Sequence, residues 1–275
     1  MNFFSALYSN PLLLAALVAA LLASLVSGIV GSYVVVKRIV FLGGSISHAV
    51  LGGIGVSLWL ERRMGLFFLS PLYGALAAAL LSALLLGWMR LRYRQREDSL
   101  IALIWSVGMA IGVLFMAMTP GYNVELTNFI VGNLLWVAPS DLWLLASLDL
   151  FILCSVPLLH KKMVAVCFDE DEALLRGLWV SGLYLFLLLL TALSIVLLTQ
   201  VVGVILVMTM LTIPPAIANL FTKSLSNMMA LASAISALCS LAGMALAYEW
   251  DLPTGATIAL LAGLTYLLAL LLPRR

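Results

Sequence analysis

The residue best placed for chemistry is His48, one of two histidines in the chain and the one set inside a glycine-rich apolar run, GGSISHAVLGG (43–53). An ionisable side chain at bilayer depth is a candidate functional residue. Neutral imidazole is also a good ligand for Zn²⁺, Mn²⁺ or Fe²⁺. We therefore expect His48 to contact or gate a metal ion, with nearby Ser45 and Ser47 adding polar contacts. An interhelical hydrogen bond is the alternative role.

The position of His48 in the chain suits such a role. It follows the basic pair Lys37 and Arg38 by about ten residues. At ~1.5 Å per residue in a helix that is roughly 15 Å, near the middle of a bilayer. The glycines around it would allow a neighbouring helix, or a passing solute, to come close to the backbone.

Composition identifies the kind of protein that must position this histidine. Of the 275 residues 64% are hydrophobic and only 9% are charged, whereas a soluble domain carries about 25% charged residues. The chain is therefore expected to be an integral protein of the lipid bilayer. A net charge of +2 gives no indication of a nucleic-acid partner. The three cysteines are scattered and indicate neither a disulfide framework nor a thiolate metal site.

Apolar segments predict an all-α polytopic membrane protein that forms one transmembrane domain over residues 1–275. A span needs about 20 mostly apolar residues, and nine segments qualify, with eight spans as the alternative count. The link 126–140 is apolar but too short to cross and return, so a short helix that dips into the membrane is expected there. The nine spans are 11–36, 40–60, 66–89, 99–118, 141–159, 177–198, 202–221, 227–248 and 254–272.

The basic residues predict orientation, because cytoplasmic loops are enriched in lysine and arginine. Five basic clusters fall on one side if the N-terminus is outside and the C-terminus is cytoplasmic. Arg62 and Arg63 then lie outside, against the rule, and could form a docking surface for a partner. Glu125, Glu249 and Asp251 also lie outside and could line an acidic vestibule, with ordinary solvated loop charges as the alternative.

Two further segments stand out. In the cytoplasmic loop, Asp169 and the acidic residues after it open a predicted surface helix, where acidic side chains complement the helix N-terminus; a capped helix start without a partner is the alternative. In the seventh span, Pro214 and Pro215 predict a kink. Such kinks recur in transporter pathways, although a kink that only packs is an equal alternative.

Five blocks in one order resemble a known family. The chain is similar to the membrane subunit of bacterial ABC-type importers of transition metals, the zinc, manganese and iron(II) permeases. The blocks are GGSISHAVLGG (43–53), EDSLIALIWSVGMAIGVLFMAMTPGYNVEL (97–126), NFIVGNLLWVAPSDL (128–142), FDEDEALLRGL (168–178) and VVGVILVMTMLTIPPAIANLF (201–221).

The resemblance implies a fold, partners and a location. The fold would be the type II importer fold of the vitamin B12 permease, in the bacterial plasma (inner) membrane. A second permease copy would complete a homodimer. A pair of cytoplasmic ABC ATPase subunits would bind ATP, and an extracytoplasmic metal-binding protein would deliver the ion. The transported ion is Zn²⁺ by preference, or Mn²⁺ or Fe²⁺, and no stably bound cofactor is expected.

The resemblance also implies residue roles. The coupling helix would cover about 168–178, and its candidate residues are Phe168, Asp169, Glu172, Ala173 and Gly177. Many relatives carry an aspartate four residues before the histidine, and here that position is Gly44. Only His48 can therefore be carried over, to face its symmetry mate across a dimer axis.

Three rival functions follow from the same residues. A secondary, ion-coupled metal transporter needs titratable groups along its path, and the chain offers one midplane histidine and almost no buried carboxylate. A non-transporting scaffold subunit does not explain the histidine helix or the two prolines. An intramembrane metalloprotease would need HExxH, and the sequence has none. No phosphate-binding loop of the form GxxxxGK[ST] is present either, so ATP would have to be hydrolysed by a partner.

Overall fold

The computed structural model describes residues 3–65, 70–93, 97–120 and 139–272. The described residues form helices only, and nine of these are long and apolar enough to cross a membrane. The prediction of an all-α polytopic membrane protein is therefore confirmed. The helices are α1 (Phe3–Ser9), α2 (Pro11–Val36), α3 (Phe41–Met64), α4 (Pro71–Tyr93), α5 (Glu97–Met118), α6 (Pro139–Phe168), α7 (Glu170–Leu175), α8 (Val180–Val202), α9 (Val204–Phe221), α10 (Leu225–Trp250) and α11 (Thr254–Leu271).

The observed bounds differ most from the predicted spans at two helices, α4 and α6. Helix α4 begins at Pro71, since proline suits the first turn of a helix. Helix α6 does not end at residue 159 but continues through Lys161 and Lys162 to Phe168. Apart from the start of α6, the dipping helix predicted at 126–140 lies outside the described residues.

The described residues fall into two compact units. The first unit draws on 1–38, 128–164 and 197–275, and in it α2 packs against α9 and α10. Two serine pairs join α2 to α10, with hydroxyl oxygens 3.4 Å apart for Ser24 and Ser240 and 3.3 Å apart for Ser27 and Ser236. Small polar side chains of this kind let membrane helices approach closely.

The proline pair lies inside α9 without interrupting it. The chain turns at Gly203 instead, where φ is +85°. Proline has no N–H, so Pro215 leaves the carbonyl of Leu211 without its helical donor. That carbonyl faces Gly31 of α2, where an added Cβ would lie only 2.4 Å from the oxygen. The freed carbonyl is thus covered by a neighbouring helix of the same unit.

The second unit covers 39–127 and 165–196. In it α3 packs against both α4 and α5. A Cβ built on Gly53 would lie 2.1 Å from the carbonyl oxygen of Gly74 on α4, so only glycine permits this separation. The glycines that follow His48 therefore allow close packing by α4 and α5, as the composition of α3 predicts.

Candidate functional site

The site begins with the first two turns of α3, which bury a short polar sequence. Ser45 and Ser47 have no exposed surface, and Gly44 is buried beside them. The Ser45 hydroxyl donates to the carbonyl of Leu42 on its own helix, at 3.1 Å. Ser47 Oγ is buried and makes no hydrogen bond among the described residues. One of the two predicted serines thus has a free polar atom.

His48 follows directly and is held by an aromatic contact. Its imidazole stacks on the indole of Trp105 on α5, with ring centroids 4.9 Å apart and planes inclined by 23°. The backbones are close enough for this because Gly108, one turn along α5, meets Ala49; a Cβ on Gly108 would lie 2.6 Å from Ala49 Cα. Close packing of α3 and α5 therefore fixes the plane of the imidazole ring.

The ring nitrogens of His48 are not used in packing. Nδ1 is buried without a hydrogen-bond partner, and His48 makes no hydrogen bond among the described residues. The alternative of an interhelical hydrogen bond thus finds no partner in the described structure. A buried polar atom without a partner in a native fold calls for a ligand, water or ion. The described site therefore leaves His48 and Ser47 with unused polar atoms.

No closed metal site exists among the residues that the structure describes, where no three His, Cys, Asp or Glu side chains come together. Structural metal sites need three or four such ligands. Helices α3, α4 and α5 do enclose a cavity of about 540 Å³, but its lining is apolar and includes no carboxylate, imidazole or thiol. The described donors fit a transient contact and not a resident metal.

The predicted surface helix in the loop after α6 is observed as α7. Asp169 caps it, its carboxylate accepting the N–H of Glu172 at 2.9 Å. The helix ends at Gly177, where φ is +74°. The N–H of Gly177 donates to Leu174 and that of Leu178 donates to Ala173, the hydrogen-bond pattern of a Schellman motif. Both ends of this one-and-a-half-turn helix are thus fixed by local bonds.

An ion pair fastens this helix to a membrane span of the same unit. Arg90, near the end of α4, donates to Glu170 at 2.8 Å. The guanidinium also lies 4.0 Å above the ring of Tyr184, a fully buried residue of α8. Glu172 makes a second ion pair with Arg176, which stays within the loop and is exposed. Arg90 therefore connects α4, α7 and α8.

The loop exposes large apolar side chains beside its charged residues. Phe168, Leu175 and Trp179 are 68%, 88% and 79% exposed, while Ala173 is fully buried on the other side. Large apolar side chains that remain exposed are candidates for contact with a protein partner or the membrane.

The other predicted residues lie apart from these features. Arg62 donates to the carbonyl of Pro120 at 3.4 Å, and Arg63 is exposed. Glu249 and Asp251 are exposed at the end of α10, where Asp251 adopts φ +52° and caps the helix. Glu125 lies outside the described residues. The predicted acidic vestibule stays a prediction.

Two ionisable residues, Asp149 and His160, have surroundings that the sequence patterns do not predict. Asp149 lies in α6 with 4% of its surface exposed, and neither carboxylate oxygen has a hydrogen-bond partner among the residues that the structure describes. The expectation of almost no buried carboxylate is therefore wrong. A single acidic residue in the middle of an apolar span was the available signal.

His160 is the second residue. Its Nδ1 lies 3.1 Å from the Tyr33 hydroxyl and its Nε2 lies 3.0 Å from the Ser226 hydroxyl. It thus connects α2, α6 and α10 within the first unit.

Comparison with known proteins shows what the chain is similar to. The family model of the ABC 3 transport family matches residues 9–273. A Chlamydia trachomatis protein named "Probable metal transport system membrane protein" is 47% identical over 264 residues, which cover 96% of this chain and 90% of that protein. The manganese transport system membrane protein MntC of Halalkalibacterium halodurans is 32% identical, over 97% of this chain and 89% of its own.

A solved structure gives the same result for the fold. In PsaBC from Streptococcus pneumoniae in complex with Fab, one chain superposes with a TM-score of 0.83 at 28% identity. The match covers 97% of this chain and 94% of that one. The expected ABC-importer permease fold is therefore confirmed.

Proposed function

We infer the function from an established premise: the chain belongs to the ABC 3 transport family, whose model matches residues 9–273. We propose that it is the membrane-spanning subunit of an ATP-driven importer of divalent transition-metal ions. The observation that carries this proposal is a match over nearly the whole length, to a family defined by transport and to relatives named for metal transport. A secondary transporter with its own coupling ion has no comparable support.

The cargo is a divalent transition-metal ion, for which Mn²⁺ and Zn²⁺ are the leading candidates. A relative at 32% identity is named for manganese. The donor chemistry at His48 favours zinc, because imidazole without a hard oxygen ligand suits Zn²⁺ better than Mn²⁺. Uptake measurements with each ion decide between them.

The ion path uses His48. Its Nδ1 is buried and unpartnered, and Trp105 fixes the ring plane. One imidazole with a neighbouring hydroxyl binds a cation weakly, as a conduit requires. A second permease copy places a second His48 across the dimer axis. Pro214 and Pro215 shape the seventh span.

Energy enters from outside this chain, through a pair of cytoplasmic ABC ATPase subunits that bind ATP. The ATPase subunits contact the exposed apolar side chains of the loop at 168–178. Arg90 passes the movement from α7 to α4 and α8, and the permease dimer moves between outward and inward states. Basic residues place this loop in the cytoplasm.

Delivery takes place on the opposite side of the membrane. With the N-terminus outside, Arg62 and Arg63 face an extracytoplasmic metal-binding protein and pair with acidic residues on it. Glu249 and Asp251, with Glu125, raise the local concentration of cations at the entrance. The location is a bacterial plasma membrane.

The test is growth of a bacterium that lacks its own manganese and zinc importers. Expression of this chain with its ATPase and binding protein should restore growth at low metal. Restoration by Mn²⁺ alone identifies manganese as the cargo, and restoration by Zn²⁺ alone identifies zinc. Growth that neither ion restores, with the complex present in the membrane, would contradict the function.

A further inference from the structure

Asp149 is an acidic residue with no counter-charge in a membrane helix. It is 4% exposed, and neither of its carboxylate oxygens makes a hydrogen bond or ion pair among the described residues. Burial of a carboxylate without a partner is costly. Native structures retain such groups when a ligand, a water molecule or an ion supplies the missing polar partner.

The depth of Asp149 is that of a transport path. It follows Pro139, the first residue of α6, by ten positions. At ~1.5 Å per residue that is roughly 15 Å, close to the middle of a hydrocarbon core of about 30 Å. Intramembrane carboxylates at such a depth mark ion and proton pathways.

The face of α6 that carries Asp149 is the face toward protein. Leu145, Leu148, Ile152 and Val156 are buried at the helical spacings that define one side with Asp149. Its neighbour Leu150 is 64% exposed on the other side. The carboxylate therefore cannot reach the lipid headgroups by extending along the helix surface.

We propose that Asp149 is a ligand for the divalent cation in transit. A carboxylate is a hard oxygen donor of the kind that Mn²⁺ prefers. This inference rests on the proposed function, because it needs a metal ion to pass through the permease.

The first experiment uses dicyclohexylcarbodiimide, an apolar reagent that labels buried protonated carboxyl groups. The full chain in its ATPase complex is freed of metal in detergent and labelled with or without Mn²⁺, and peptides are read by mass spectrometry. Asp149 should label in the metal-free complex, and Mn²⁺ should reduce that label several-fold while Mg²⁺ does not. If Mn²⁺ leaves the extent of Asp149 labelling unchanged, the carboxyl group binds only water and the proposal is overturned. Absence of label would do the same.

The second experiment measures Mn²⁺ binding directly. Asp149→Asn keeps the size of the side chain and should weaken Mn²⁺ binding by about tenfold or more, whereas Asp149→Glu should recover part of it. Asp141→Asn is the matched control on the same helix, since Asp141 already accepts a hydrogen bond from Gln200 at 3.2 Å. Equal binding by Asp149→Asn and the unmodified protein would overturn the proposal.

Transport measurements in vesicles distinguish failure of the proposed function from failure of the role of Asp149. If the unmodified complex moves neither Mn²⁺ nor Zn²⁺ with ATP, the proposed function fails. If the complex transports while Asp149→Asn binds and transports equally well, only the role of Asp149 fails.

Discussion

The imidazole of His48 lies nearly flat against the indole of Trp105, with ring centroids 4.9 Å apart and planes inclined by 23°. This contact explains how a histidine without a hydrogen-bond partner keeps one orientation. The aromatic face holds the ring, and the nitrogens stay available to a cation.

Replacement of His48 separates its packing against Trp105 from its contact with the metal ion. His48→Phe keeps an aromatic ring against Trp105 but has no nitrogen, so metal transport should fall by on the order of tenfold, the value of one lost charge-assisted contact of about 1.5 kcal/mol. Trp105→Phe keeps both the stack and the imidazole and should transport nearly normally. The measurement is ATP-driven metal uptake in vesicles at matched protein levels. Normal uptake by His48→Phe would exclude metal contact by this residue.

Gly177 should govern the coupling of ATP hydrolysis to transport. Its φ of +74° is left-handed, which costs any residue with a Cβ roughly 1–2 kcal/mol. Gly177→Ala should therefore disturb the end of α7, and transport per ATP hydrolysed should fall while the complex still assembles. Gly263→Ala is the control, because a Cβ there meets no atom within 4 Å. If the two variants transport the same amount of metal per ATP hydrolysed, the loop has no role in coupling.

Arg90 should transmit force to the membrane spans. Its ion pair with Glu170 is partly exposed, with side chains 21% and 32% accessible, so the pair adds only about 1 kcal/mol of stability at most. Glu170→Gln should reduce transport per ATP with little change in thermal unfolding, whereas Arg90→Ala should reduce transport per ATP and also lower stability, because it removes the contact with Tyr184. Arg176→Ala removes the exposed ion pair with Glu172 and should leave coupling intact. If Arg176→Ala lowers transport per ATP as much as Arg90→Ala does, Arg90 has no specific role in coupling.

His160 should contribute to stability through its two hydrogen bonds. His160→Phe removes both of them next to Tyr33, which is fully buried, and the expected loss is roughly 1–3 kcal/mol of unfolding free energy. Ser147→Ala, an exposed serine bonded to its own helix, should change stability little. Unfolding in detergent micelles gives both values. A double-mutant cycle with Tyr33→Phe should be non-additive, and strict additivity would contradict the contact.

The sequence predicts most of the fold because span length and hydropathy are local properties. The end of α6 is an exception, since its last turns carry Lys161 and Lys162 and continue as helix beyond the apolar stretch. The start of α7 could be read from Asp169, because an N-cap depends only on the next few residues.

The site is less predictable because its contacts join distant segments. His48 stands out in the sequence, but its stacking on Trp105 depends on the register of α3 against α5. Asp149 is concealed by the high mean hydropathy of its span, and the partners of His160 lie on two other helices, α2 and α10. Each of these contacts depends on helix packing, which composition alone does not determine.

The most direct test of the central claim is uptake of radioactive Mn²⁺ and Zn²⁺ into vesicles that hold this chain with its ATPase and binding protein. Uptake of at least one of the two ions should require ATP and should stop when the ATPase cannot hydrolyse it. It should not respond to a proton or sodium gradient. Uptake that a gradient drives in the absence of ATP would contradict the account and identify a secondary transporter.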